Sequence, residues 1–145
     1  MRLTRGGEYA IRCIRYLSRK GTGVQVSKQE IVAHGEIPAS FLSKIAQDLS
    51  KAGLIEIAQG PKGGYRLLKE PADISLLEVI ETMIGRIYLN DCVRRPSNCS
   101  IQPRCLAHKV WDYASEQLRN TLAEVNFDQL GKEEFCIPHL PKTGT

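Results

Sequence analysis

Three thiols and an imidazole fall in one short stretch, spaced Cys92-x6-Cys99-x5-Cys105-x2-His108. Pro96, Ser97, Asn98 and Pro103 punctuate it, so the stretch reads as a loop rather than a helix or strand. Thiolates are soft ligands, and at such spacings on pliable backbone they can close around an iron–sulfur centre. Three cysteines leave a fourth coordination position to another side chain, an arrangement suited to a labile, sensing cluster. Two other chemistries use the same residues: a disulfide pair with a leftover thiol, or a zinc site. The chain has five cysteines, an odd number. Its start is charged, with Arg2 and Arg5, and reads as no signal peptide. A reducing, cytoplasmic setting is therefore expected, where clustered cysteines are metal ligands or redox thiols more often than structural bridges. Zinc sites favour gaps of two to four residues between paired cysteines, and the gaps here are six and five.

The elements that must carry this loop belong to a chain of 145 residues, enough for one compact domain or a small domain with an extension. No apolar run is long enough to span a bilayer, so no membrane partner is expected. The net charge of +4 is unevenly spread. Residues 1–70 hold 12 Lys/Arg and 6 Asp/Glu, whereas residues 71–145 hold 8 and 10. A basic N-terminal half points to a polyanionic partner.

From Glu8 to Arg19, Tyr9, Ile11, Ile14, Tyr16 and Leu17 recur at helical spacing among arginines, with Cys13 as a small core residue. Lys20-Gly21-Thr22-Gly23 breaks this helix. Ser27 and Glu30 form a capping-box pattern that starts a short helix, closed by His34-Gly35-Glu36 with Gly35 as the left-handed residue. Ile37-Pro38-Ala39-Ser40 leads into a second helix, burying Phe41, Leu42, Ile45, Ala46 and Leu49 and ending at Lys51-Ala52-Gly53. Two short helices across a tight glycine turn make a helix-turn-helix.

Leu54 to Gln59 alternates like a strand, Gly60-Pro61-Lys62-Gly63-Gly64 is a turn, and Tyr65 to Leu68 returns. A hairpin directly after the second helix reads as the wing of a winged helix-turn-helix. Ser75 then caps a helix bearing Leu76, Leu77, Val79, Ile80, Met83 and Ile84. Beyond the thiol loop, Leu106 to Val125 carries Trp111, Ala114, Leu118, Leu122 and Val125 at gaps of three and four, a stripe that a second copy of the chain would cover. The fold expected is mainly α with a small β-hairpin wing: a winged helix-turn-helix plus a long dimerisation helix. Residues 1–70 form the DNA-binding unit, 71–130 the cluster loop and dimerisation helices, and 131–145, with Cys136, a loosely ordered tail.

These residues resemble a known family. Ile37 to Ile45 and Gly53-Leu54-Ile55 are similar to the recognition-helix region of the Rrf2 family, which includes iron–sulfur regulators of the IscR, NsrR and RirA type. Gly60-Pro61-Lys62-Gly63-Gly64-Tyr65 resembles its glycine-rich wing, and Met1-Arg2-Leu3-Thr4, Tyr9-Ala10 and Asp73-Ile74-Ser75-Leu76 fit as well. The resemblance reaches to about Leu130. It implies a dimeric bacterial repressor or activator, and for members with this cysteine loop a two-iron or four-iron cluster. Two departures stand out. The first cysteine gap is six where the IscR pattern has five, and Gln59 precedes the wing glycine where IscR-like proteins often have arginine, so the IscR operator is not carried over.

The expected cluster ligands are Cys92, Cys99 and Cys105 as thiolates. For the fourth ligand, the resemblance offers His108, placed where IscR-like members have a histidine, or Glu8, a first-helix carboxylate supplied across the dimer. His108 favours a two-iron cluster, the form preferred over four-iron. On the DNA side, Ser40, Ser43, Lys44 and Gln47 lie on the second helix and Gln59 and Lys62 on the wing, while Ser27 and Lys28 stand at a helix N-terminus suited to phosphate. The function expected is a cytoplasmic, homodimeric, cluster-dependent regulator binding a double-stranded operator, its cluster state repositioning the DNA heads. The alternatives are a cluster-free regulator using thiols or zinc and a cysteine-based redox enzyme, though no Cys-x-x-Cys pair or nucleophile–base arrangement is present.

Overall fold

A computed structural model of the chain describes residues 2–133. Helix α1 spans Arg5–Lys20, one turn earlier than its apolar pattern alone requires, because the Thr4 hydroxyl accepts from the Gly7 N–H and caps it. Its buried stripe is Ala10, Cys13, Ile14 and Leu17. Helix α2 (Lys28–Gly35) starts at Ser27, whose hydroxyl accepts from the Glu30 N–H. The Glu30 carboxylate does not return to the cap; it accepts from the Tyr16 hydroxyl at 2.7 Å and pairs with Lys20 at 3.3 Å. The left-handed residue after α2 is Glu36, at φ 51°, not Gly35, which is still helical. Helix α3 (Ala39–Lys51) follows Pro38 and ends before Gly53, whose φ of 77° turns the chain.

Strands β1 (Ile55–Ala58) and β2 (Gly64–Leu67) form the antiparallel wing in the register Ile55↔Leu67 to Ala58↔Gly64. A bridge between Val26 and Tyr65 ties this hairpin to the segment entering α2. That approach is close: a Cβ on Gly64 would lie 2.2 Å from the Val26 carbonyl oxygen. Ser75 caps α4 (Leu76–Ile84) through the Glu78 N–H. The thiol stretch is not plain loop: it holds a four-residue helix α5 (Asp91–Arg94) and 3-10 turns at Pro96–Asn98 and Gln102–Arg104. Helix α6 spans Leu106–Ala123 and α7 spans Phe127–Lys132.

One apolar core joins α1, α3, the wing and α4, filled by Ile14, Leu17, Leu42, Ile45, Leu49, Leu67 and Ile74. Burying each such side chain contributes about 1.5–3 kcal/mol. Phe127, fully buried, completes this core from the far end of the chain, so α7 packs against α1. Sequence periodicity runs α6 on to Val125. The helix stops at Ala123 because Asn126 takes an extended conformation and caps α7 in a capping box with Gln129. Gly131 and Lys132 accordingly lie in α7, and the tail from 134 onward, with Cys136, lies outside the described residues. Phe41 is also placed differently from expectation. It is 38 % exposed, its ring edge-on to Tyr9 at 5.1 Å, because it sits at the rim between α1 and α3 rather than beneath α3.

On α6 the only buried side chain is Ser115. Ala114, Leu118 and Leu122 are half-buried, whereas Leu106, Val110, Trp111 and Tyr113 are exposed, with Ile101 exposed just before the helix. No helix among the described residues is long and apolar enough to cross a membrane.

Candidate functional site

Two regions carry the candidate chemistry. The first is the face made by α2, α3 and the wing. The N-terminal half of α2 lies against α3, and the Lys28 ammonium donates to the Ser43 hydroxyl. A cleft of about 440 Å³ between these helices and the hairpin is lined by Ser27, Lys28, Ser43, Gln47 and Gln59, together with Gln29. Five residues singled out in the sequence thus share one concavity. Ser40 and Lys44 are exposed on α3 and Lys62 is exposed on the wing turn, beside the cleft rather than in it. Gln25 was not singled out. Its side-chain amide donates to the Lys62 carbonyl and so pins the wing turn to the scaffold. Its position just before a capped helix gave no signal in the sequence, because the contact depends on how the hairpin folds back.

Charge within this unit is mostly placed on the rim. Arg66 pairs with Glu56 at 2.6 Å across the wing, and the guanidinium holds the Glu56 carboxyl below the usual range. Arg15 and Arg19 on α1 grip the end of α7, donating to the Leu130 and Gly131 carbonyls at 3.2 and 3.0 Å and pairing with Glu133. Cys13, wholly buried beneath α1, has its thiol pushed up to about 12 by desolvation, so it is a packed core group and not a reactive thiol.

The second region is the thiol stretch. Cys92 lies in α5, Cys99 closes the Pro96–Asn98 turn, Cys105 precedes α6 and His108 is in the first turn of α6. All three thiols are free and half-buried. Cys105 and His108 stand three residues apart at the head of one helix, hence on one face. The Nδ1 atom of His108 is buried and has no hydrogen-bond partner among the described residues, an arrangement that an incoming ligand would relieve. The chain alone does not gather the set: no group of three or more His, Cys, Asp or Glu side chains among the described residues is disposed to hold a metal ion. Glu8 is exposed in the first turn of α1 and makes no described contact with the thiols. In kind, then, three accessible thiols and an unpartnered imidazole fit a soft iron–sulfur centre. In position, they are not disposed as a metal site among the described residues.

A known family matches along almost the whole chain: the model described as Rrf2, iron-dependent transcriptional regulator, matches residues 3–133. The chain belongs to the Rrf2 family. Among its relatives, the HTH-type transcriptional regulator IscR of Vibrio atlanticus is 30% identical over 137 residues, 94% of this chain and 79% of the relative. The HTH-type transcriptional regulator NsrR of Shouchella clausii is 33% identical over 106 residues, covering 72% and 71%. Two solved structures share the fold. CymR, the global cysteine regulator of B. subtilis, matches with a TM-score of 0.74 at 19% identity, covering 93% of this chain and 99% of that one. IscR of T. potens matches with a TM-score of 0.67 at 22% identity, covering 92% and 89%. As an Rrf2 protein the chain is a transcriptional regulator, and the reading as a cysteine-based redox enzyme falls away. Its helix-turn-helix and wing are the DNA-binding apparatus that this family implies.

Proposed function

We propose that this Rrf2 protein is a cytoplasmic, homodimeric regulator whose affinity for a double-stranded operator depends on an iron–sulfur cluster held by its thiol stretch. The observation that carries the reading is the set of three free, half-buried cysteines followed by a buried imidazole nitrogen without a partner. Cys92, Cys99 and Cys105 would hold the cluster as thiolates. His108 is the preferred fourth ligand, which favours a two-iron form; Glu8, supplied by a second copy, is the alternative. When bound, such a cluster supplies a centre that oxidants, nitric oxide or iron shortage can alter.

The chain's own residues do the rest. Ser40, Ser43, Lys44 and Gln47 face a major groove, Gln59 and Lys62 reach the adjoining minor groove, and Ser27 and Lys28 anchor a phosphate. Residues 1–70 read DNA while 71–130 sense and dimerise, with Ile74 and Phe127 lending core to the DNA-binding unit. The exposed Leu106, Val110, Trp111 and Tyr113 on α6 are a face for the same helix of a second copy, which would set half-site spacing.

A second reading has its own observation. Because the described donors are not gathered for a metal, a cluster-free regulator that reads oxidants through the thiols uses the same residues without closing them around any metal.

The deciding experiment is iron and acid-labile sulfide analysis, with an absorption spectrum, on protein purified without oxygen. Iron and sulfide near two per chain support the His108-ligated form, and values near four turn attention to Glu8. No iron or sulfide after reconstitution overturns the cluster and leaves the thiol reading. Cys99→Ala should lose both the iron and the state dependence of binding to duplexes selected from a random pool.

A further inference from the structure

The thiol stretch is joined to α4 by a short strap, residues 85–90, and two backbone amides of that strap are held by side chains. The Ile87 N–H donates to Glu81 Oε1 at 3.0 Å, and the Leu89 N–H donates to the Ser115 hydroxyl at 3.0 Å. Ser115, the buried polar residue of α6, in turn donates to the Trp111 carbonyl at 2.7 Å. Glu81 is doubly engaged. Arg119 of α6 grips it with two prongs, Nε to Oε1 at 2.6 Å and Nη2 to Oε2 at 3.1 Å.

This is the most shielded ion pair among those described, its side chains 19 % and 20 % exposed, where the others have at least one partner more than a third exposed. Arg119 hydrogen bonding holds the Glu81 carboxyl below the usual range, and the Ile87 N–H adds to that. Around the pair, Glu116 accepts from Arg86 of the strap at 2.6 Å and lies 3.4 Å from Arg119. Helix α4, which carries Glu81, packs against both α1 and α3.

One carboxylate therefore holds three things at once: the strap that leads into the thiols, the helix that leaves them, and the helix that supports α3. A hydrogen-bonded pair with two fixed prongs is directional, so it passes on a displacement that apolar packing would absorb by sliding. An element transmits a signal when it has two arrangements that both ends bias. Pulling the thiols together must move residues 91–105, and the strap is their covalent route to α4.

We propose that Glu81, held by Arg119 and backed by Ser115, is the positioning residue that couples the thiol stretch to the recognition helix α3. This rests on the reading of the thiol stretch as the sensing element. In Glu81→Gln the side chain keeps its size but turns an amide towards Arg119 or towards the Ile87 N–H, so one prong is lost. In Ser115→Ala the second tie is lost without touching the ion pair.

The test perturbs the stretch in two ways, by iron and sulfide reconstitution and by alkylating the metal-free thiols with iodoacetamide. Each is followed by hydrogen exchange at the α3 and α4 amides. Operator affinity is measured beside it on duplexes selected from a random pool. In the wild type both perturbations should change α4 exchange, and operator affinity should differ between states by about 5–150-fold, the usual span of allosteric coupling. In both variants the exchange change should stop at the strap and the affinity ratio should fall below about three, with circular dichroism unchanged. Equal transmission in wild type and Glu81→Gln, or no change in α4 of the wild type under alkylation, overturns the coupling role. Failure to take up iron while alkylation still acts through Glu81 overturns the cluster and spares the coupling.

Discussion

Lys28 on α2 donates its ammonium to the hydroxyl of Ser43 on α3, so two side chains of the proposed DNA-binding face hold each other across the helix-turn-helix. A lysine fixed in this way presents its charge at one place instead of sampling solvent. Lys28→Ala should weaken operator binding and lower the salt slope of log K by about one, the signature of one lost phosphate contact. Ser43→Ala should cost less in a Lys28→Ala background than alone, with a coupling of about 0.5–3 kcal/mol. Fluorescence anisotropy on a labelled duplex across a salt series measures both. Additive losses would mean that the two residues act independently on DNA.

The wing depends on an absent side chain. The Val26–Tyr65 bridge brings backbone to within 2.2 Å of where a Gly64 Cβ would stand, and Gly63 has the same separation from the Ala58 carbonyl. Backbone atoms cannot give way as a flexible side chain does. Gly64→Ala should therefore destabilise the protein by about 1–3 kcal/mol and impair DNA binding. Thermal unfolding and binding at a temperature where the variant is folded separate the two effects.

Phe127 shows where local reading of the chain stops. Caps at Ser27 and Ser75, the apolar stripes of α1 and α3, and the turn residues 60–64 are local signals, and the elements formed as those signals imply. The return of α7 onto α1 rests on a contact across more than a hundred residues. Its capping residues Asn126 and Gln129 lie directly past the apolar run of α6, where a six-residue helix is too short to show a periodicity of its own. The Glu81–Arg119 pair, 38 residues apart, is equally invisible to periodicity. The thiols are the opposite case: their spacing raises the expectation of a metal, and the described side chains form no group disposed to hold one.

From that packing, Phe127→Ala should destabilise the DNA-binding unit by about 3–5 kcal/mol, since a fully buried aromatic leaves a cavity in the shared core. Chemical denaturation read by far-ultraviolet circular dichroism checks this. A loss under 1 kcal/mol would show that α7 is merely laid on the surface.

Thiol reactivity should divide the cysteines. Cys13 is wholly buried and its thiol is pushed up to about 12, so it stays protonated at neutral pH. In native, metal-free protein, iodoacetamide should modify Cys92, Cys99 and Cys105 and spare Cys13, which should react only after denaturation. Peptide mass spectrometry assigns the sites. Native labelling of Cys13 at rates matching the others would mean that α1 opens readily.

Acid sensitivity follows from Glu81. Its folded carboxyl titrates below its ordinary value of 4.5, first because Arg119 hydrogen-bonds the charged form. The folded state thus binds this proton less tightly than the unfolded chain does. The stabilisation is full at neutral pH, begins to fade near pH 4.5 and is lost as pH falls through the lowered folded value. Glu81→Gln removes the titrating group, so the variant should be less stable than wild type at pH 7, by about 1–2 kcal/mol for a charge-assisted hydrogen bond. The gap should close as the pH drops below that window. Urea unfolding at a series of pH values gives the difference curve. A gap that stayed constant into acid would mean that the destabilisation comes from lost packing around residue 81 and not from the charge that Arg119 holds.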